Sequence, residues 1–566
     1  MPVNLTIDAV RDRLAEALAE RAELLHSHSE DQVLVQVRDA ELLEWLAQYL
    51  FDERFYLVTL VGNDERELED RCFKLYYLFS HPTTDLFVLV EYLLLPPQPE
   101  TYPSLHTWFE VVSCFEHEIC DMLGLRPNGP RSHDVATGSW LHNRYPEGLH
   151  PLRRDKTTSR LRQDVLDHDR TAAAVRGGPG APILPVGPVH AGIIEPGQFR
   201  FSMAGEAVNR LGIQLGYTHR GLERLFQSGV PLLDGWWLAE QASGDSSFAH
   251  SLAYCRAAET LTERPAPLAA ERIRGLFLEL ERIHNHVADI GMLAEDVALG
   301  PYAARLSIVR EQLLRLNKRI AGHRYLRRVN RPGGVVLPGE LDVRDIRETL
   351  DDSLGRFYAI AKRLQGRVAF RARTIGVGQL TRDQAVRLGV TGLVARASGV
   401  PRDCRWDHPY GVYDDRGLGR DRTNESRRTD RAEAEAGDVY ARFLTRVEEV
   451  NESHAIIRRI LQLWGGLRKR ERLRLLDQPK VLPENNYTFA VGYAEGFRGD
   501  VVYWLMQDKM TRIYRCKIRD PSIVNWPALT ESVRPRVEHG RSVETMVADF
   551  PLVNKSFNLS YAGNDL

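Results

Sequence analysis

The chain has 566 residues, with 75 Lys and Arg against 77 Asp and Glu, for a formal net charge of −2. That length calls for two or more domains around sizeable cores. The balanced charge argues against a generalised nucleic-acid surface, so no nucleic-acid partner is expected.

Met1 to Glu20 carries Asp8, Arg11, Asp12, Arg13, Glu16 and Glu20 and has no apolar run, so no signal peptide is expected. Three strand-like runs follow: Phe55 to Val61, Phe73 to Phe79 and Leu86 to Leu95. The last (LFVLVEYLLL) falls short of the ~20 apolar residues of a spanning helix and contains Glu91, so it reads as a buried strand. The protein is therefore expected to be soluble by itself and to reach a membrane only through partners. Trp108, Val111, Val112, Phe115, Ile119, Met122 and Leu123 recur at helical spacing and predict a helix over about Ser104 to Leu125. Residues 1–168 thus read as a small N-terminal α/β domain.

Residues 169–188 (DRTAAAVRGGPGAPILPVGP) are rich in Gly and Pro and read as a linker. Residues 189–566 read as a mainly α-helical domain with peripheral β-strands. Amphipathic patterns predict helices over about Ala269 to Leu293 and Asp438 to Trp464. Charge-dense Asp414 to Gly437 reads as an exposed loop, and strand-like runs return at Val501 to Met506 and Ile513 to Ile518. The fold class expected is α+β, multidomain.

The six cysteines, Cys72, Cys114, Cys120, Cys255, Cys404 and Cys516, contain no C-x-x-C pair. Neither a disulfide framework nor a four-thiolate metal site is suggested, and a reducing cytosol fits best. No Gly-x-Gly-x-x-Gly follows a strand, so nicotinamide binding is not expected.

Several segments stand out together: GPVHAGIIEPGQFRF (187–201), GYTHRGLERL (216–225), SFAHSLAY (247–254), NRPGGV (330–335), GVTGLVARASGVPRDCRWDHPYGVY (389–413) and RDPSIVNW (519–526). They closely resemble the large subunit shared by complex I and the energy-converting membrane hydrogenases of formate-hydrogenlyase type (group 4). WFEVVSCFEHEICDMLG (108–124) and EGLHPLRRD (147–155) resemble the small complex I subunit that precedes it. The resemblance covers nearly the whole chain and implies a fusion of two peripheral-arm subunits.

That resemblance implies partners: a small iron-sulfur subunit, a ferredoxin-like iron-sulfur subunit and antiporter-like membrane subunits, on the cytoplasmic face of the inner membrane. No cofactor is expected in this chain, and an iron-sulfur cluster is expected in a partner. In the hydrogenases of the family, two C-x-x-C pairs hold nickel and iron. Here the matching positions are Ser243 and Ser246, then Ser522 and Asn525. Uncharged hydroxyl and amide oxygens are hard, weak ligands and cannot replace soft thiolates. His250 among apolar neighbours reads as a satisfied core residue.

In complex I the same cavity binds a quinone headgroup. His190 occupies the matching motif, and the family tyrosine position falls at Gly244; His190 reads equally as a loop residue bonded to local backbone. Glu223, beside His219 and Arg220, matches the proton-relaying glutamate, with a salt bridge to Arg220 or Arg224 as the alternative. The resemblance places Arg396, Asp403 and Arg405 along the cavity, where guanidinium groups suit polar ligands. A buried Asp–Arg network is the alternative, favoured for Asp403.

Overall fold

The computed structural model describes residues 32–82, 84–129, 148–155, 182–190, 194–414, 434–477, 487–538 and 541–566, with Tyr145 and a few positions before residue 32. The loop expected at Asp414 to Gly437 lies almost wholly outside them, as does most of the Gly/Pro-rich segment 169–188. The last part of that segment, however, is strand rather than linker. The architecture is α+β and multidomain, as the patterning predicts.

The first sheet is built from β1 (Glu23–Leu25), β2 (Gln32–Val37), β3 (Tyr56–Asp64), β4 (Phe73–Ser80) and β5 (Phe87–Leu94). Their order is β1-β2-β5-β4-β3, with β2 and β5 parallel and the other neighbours antiparallel. Helix α1 (Ala40–Asp52) provides the crossover, its N-terminus capped by Asp39, which accepts from the Leu42 N–H. Strands β6 (Thr101–Pro103) and β7 (Arg126–Asn128) pair on either side of α2 (Val112–Leu123). That helix begins eight residues later than the periodicity predicts. Residues 105–111 are turns that keep the same apolar side chains inward, so spacing alone overextends the helix.

Strands β4 and β5 are buried on both faces. This explains why LFVLVEYLLL does not alternate. Helix α2 covers one face, lying so close to β3 that a Cβ at Gly62 would meet Leu123 Cδ1 at 2.5 Å. The other face packs on the second part of the chain: Tyr76 sits 4.7 Å from Trp504 and 5.0 Å from Phe489, ring to ring.

In that second part, β8 (Ile183–Val186), β9 (Gln198–Ala204) and β10 (Ala207–Gln214) form an antiparallel sheet. Short α3 (Leu222–Phe226) is followed by α4 (Ser247–Leu261), α5 (Leu268–Asp296), α6 (Gly300–Ala321), the β11 (Asn330–Arg331) and β12 (Gly334–Val335) hairpin, α7 (Val343–Gln365) and α8 (Val439–Gly465). An antiparallel sheet β13-β14-β15 (Phe489–Glu495, Asp500–Gln507, Ile513–Arg519) then leads into α9 (Pro521–Ser532). Asp520 caps α9, accepting from the Ser522 N–H.

Helix α5 is the axis of the core and is buried all round, not on one face as its apolar pattern predicts. Arg274, Glu279, Glu281, Arg282, His284, His286 and Asp289 all lie inside. They are tolerated there because they are paired or hydrogen-bonded. The α4 helix lies on β13 at Gly492, where a Cβ would run into the backbone of Ala253 and Ala257. Gly492→Ala is therefore expected to cost about 3 kcal/mol, at the upper end for overpacking; a denaturant midpoint equal to that of the parent chain would refute this. Among the described residues, no helix is long and apolar enough to cross a membrane.

Candidate functional site: a polar cavity beside the β15–α9 junction

The polypeptide brings the serine and asparagine positions together at one place. Ser243 precedes α4 by one turn, and Ser246 N–H bonds back to its carbonyl at 3.3 Å. Across from them, Ser522 and Asn525 occupy the first turns of α9. Ser560 joins the two sides: its hydroxyl lies 3.0 Å from Ser243 Oγ, and its N–H donates to Ser522 Oγ at 2.9 Å. The Asn525 side chain is tied to Thr391, accepting from its N–H at 3.1 Å and donating to its carbonyl at 3.2 Å. All four are buried, and the side chains of Ser243, Ser522 and Asn525 are engaged with protein.

Ser243 and Gly244 line a cavity of about 580 Å³, a size typical of small-molecule sites. Its wall holds the Asp245–Arg498 pair, with two contacts of 2.7 Å. Glu195, Asn285, Asp289, Arg310 and Lys555 also face it. Burial raises the Asp245 carboxyl, but the Arg498 guanidinium outweighs it and holds the group below the usual range. Burial pushes the Glu195 carboxyl up. Stability from the Asp245 pair is thus present above the ordinary aspartate range and lost as pH falls through the depressed value. Arg498→Gln is expected to remove this acid limb from a pH series of thermal melts; an unchanged limb would refute the pairing.

The donors present do not suit a nickel-iron centre. Ser243, Ser246, Ser522 and Asn525 offer neutral oxygens and an amide, and among the described lining residues there is no cysteine. His250 lies on α4 behind them. It bonds Asp520 and the Tyr503 hydroxyl at 3.0 Å each, so both ring nitrogens are satisfied within the core.

Glu223 lies elsewhere, at a small void of about 30 Å³ that His219, Tyr145 and Glu118 also line. It pairs with neither Arg220 nor Arg224. Arg515 reaches it at 2.6 Å, Lys517 at 3.3 Å, and the Ile518 N–H donates to it at 3.0 Å. Lys517 also holds both carboxylate oxygens of Glu118 at 2.6 Å. Burial raises Glu223, but Arg515 and Lys517 outweigh it and keep the carboxyl below its usual range. Glu118 is pushed up instead, chiefly by burial against the pull of Lys517, with the Glu223 charge adding. A raised proton affinity, expected at Glu223, therefore belongs to its neighbour. His219 bonds the Tyr145 hydroxyl and the Asp565 carbonyl, both at 2.6 Å.

His190 Nε2 lies 2.7 Å from the Gly197 carbonyl, a local backbone contact, and is not among the residues lining the large cavity. Arg396, Asp403 and Arg405 do not line that cavity either. Arg396 reaches Glu449 at 2.8 Å and Glu495 at 2.9 Å. Arg405 chelates Asp403 and also meets Glu279 at 3.1 Å and Glu452 at 2.9 Å. Their charges are spent inside the core. The arginines that do face the cavity are Arg310 and Arg498, which motif reading passes over. Glu118, Arg515 and Lys517 were missed as well. Their signal was present: IYRCKIR places three cations in a strand whose positions are all buried, and buried cations need partners.

Comparison with known proteins accounts for both parts of the chain. Residues 302–565 match the model of the respiratory-chain NADH dehydrogenase 49 Kd subunit, and residues 35–161 that of the 30 Kd subunit. Hydrogenase-4 component G of Escherichia coli (strain K12) is 28% identical, over 94% of this chain and 88% of its own. NADH-quinone oxidoreductase subunit 4 of Thermus thermophilus is 31% identical, over 64% of this chain and 90% of its own. A chain of the archaeal membrane-bound sulfane sulfur reductase shares the fold, with TM-score 0.59 and 24% identity, over 68% of this chain and 98% of that one. With the 30 Kd-like segment joined ahead of the 49 Kd-like one, and with relatives on both the hydrogenase and the complex I sides, this chain belongs to the family of fused subunits shared by group 4 hydrogenases and complex I.

Proposed function

We propose that the chain is the hydrogenase-like large subunit of a complex-I-related, membrane-bound, ion-translocating redox complex, in which the nickel-iron chemistry has been given up. One observation carries this reading. Ser560 joins Ser243 and Ser522 beside a cavity that Ser243 lines, and all four positions that match metal-ligand cysteines present hydroxyls or an amide. The frame for chemistry persists while the soft ligands do not. Quinone or another small redox partner would occupy the cavity beside Ser243, Gly244 and Arg498. Electrons would arrive from an iron-sulfur cluster in the small subunit, with a ferredoxin-like subunit and antiporter-like membrane subunits completing the assembly. The chain itself would hold no cofactor and would sit peripherally on the cytoplasmic face of the membrane.

Purification from membranes tests this. The chain should co-purify with an iron-sulfur subunit and membrane subunits, and the assembly should pass electrons to a soluble quinone. Recovery solely as a free monomer would sink the idea.

A second reading makes the chain a structural or regulatory subunit without redox chemistry. The observation favouring it is that Arg396, Asp403 and Arg405 are bound to one another and to buried acids, leaving the cavity without their charge. Iron analysis of the small partner separates the two: if it binds no cluster, no electron reaches the cavity.

A further inference from the structure

Four carboxyls and three guanidinium groups are enclosed together between α5, α8, β13 and the 396–405 segment. The acids are Glu279, Asp403, Glu449 and Glu495; the cations are Arg282, Arg396 and Arg405. Glu452 also touches Arg405 but is 37% exposed and screened by solvent. Fully ionised, the enclosed set would carry one uncompensated negative charge in the core, which burial strongly disfavours.

The contacts show where that excess falls. Glu279 meets Arg282 and Arg405; Glu449 meets Arg396 and Arg282, with His286 at 2.8 Å; Asp403 meets Arg405 and Arg396. Glu495 meets Arg396, which is already shared, and accepts from the Cys404 N–H at 3.1 Å and from its thiol. The other groups around it are Asp403, Asp500 and Arg282, and the Tyr410 ring, with Arg256 on its face.

We propose that the Glu495 carboxyl is a proton-binding site that serves the neighbouring cavity. Burial first, then the Asp403 charge, against the pull of Arg396, push this carboxyl up to about 7. The link to the cavity is short. Glu495 ends β13 just before the turn 496–499, and Arg282 holds the carbonyls of Glu495 and Gly496 at 2.6 and 3.0 Å. Gly496 lies against Ser246, and Arg498 pairs with Asp245 in the cavity wall. Negative charge entering the cavity raises the proton affinity of Glu495. An O–H bond then forms on one carboxylate oxygen with a proton drawn from solvent, and it breaks again when the charge leaves. The coupling rests on the cavity being a redox site; the proton site does not.

Infrared difference spectra of the assembled complex test both parts. In a pH titration, the carbonyl stretch of a protonated carboxyl should fade as pH rises through about 7. It should be missing in Glu495→Gln and kept in His286→Gln. A signal that Glu495→Gln leaves intact overturns the site, and one lost with His286→Gln alone assigns the protonated carboxyl to Glu449, which the histidine bonds. Reduction with dithionite above neutral pH should restore the signal in the parent complex but not in Glu495→Gln. A site that titrates with pH yet ignores reduction overturns the coupling while leaving the proton site standing.

Discussion

Replacing Arg405 by leucine is expected to cost about 3–5 kcal/mol of folding stability, the usual penalty for stripping one partner from a buried ion pair. Arg405 is fully enclosed and meets Asp403, Glu279 and Glu452 at once. Burial alone would ease its proton off, but those acids hold it firmly charged. Its removal leaves Asp403 and Glu279 facing only Arg396 and Arg282. The double variant Arg405→Leu with Asp403→Asn should recover part of the loss, because it removes a charge from each side. Denaturant unfolding of the parent chain, the single and the double variant measures this. A double variant less stable than the single one would contradict the account.

Lys517→Met is expected to have an effect of similar size, about 3–5 kcal/mol, and to be strongly pH dependent. Lys517 bridges Glu118 on α2 and Glu223 on α3, so it ties the two matched segments to each other. Without it, Glu118 loses its counter-charge and rises further above the usual carboxylate range. A group raised in the folded state stabilises fully below its ordinary range, and that contribution is lost as pH rises through the folded value. The variant should therefore be least impaired in acid and progressively worse toward alkaline pH. Thermal melts across pH, with limited proteolysis between the two segments, check this. A deficit that is constant with pH would contradict it.

Much of this fold is legible in the chain, and the reasons are local. Runs such as FYLVTLV and LFVLVEYLLL have no other stable home than a sheet buried on both faces. The long helices announce themselves by spacing, and Asp39, Asp438 and Asp520 sit where caps belong. Helix α5 shows the limit. Its apolar stripe predicts one buried face, whereas both are buried, because Glu279, Arg282 and His286 find partners on α8 and the 396–405 segment far along the chain. Local periodicity cannot report partners that distant.

The same limit governs the site. Position within motifs brings Ser243, Ser246, Ser522 and Asn525 to one place, since each motif carries its own turn or helix start. It does not tell which arginine faces the cavity. Motif reading names Arg396, and its pairing with Glu449 and Glu495 turns it inward. Likewise, the proton affinity expected at Glu223 passes to Glu118 because Arg515 and Lys517, on β15, are distributed unequally between the two carboxyls.

The proposed loss of the nickel-iron centre rests on oxygen and amide groups at the positions that resemble the family's metal-binding cysteines. The most direct test is elemental mass spectrometry of the chain purified within its native complex. No stoichiometric nickel is expected in the assembly, with iron confined to partner subunits. One nickel per chain, retained through purification and lost on mutation of Ser243 or Ser522, would contradict it.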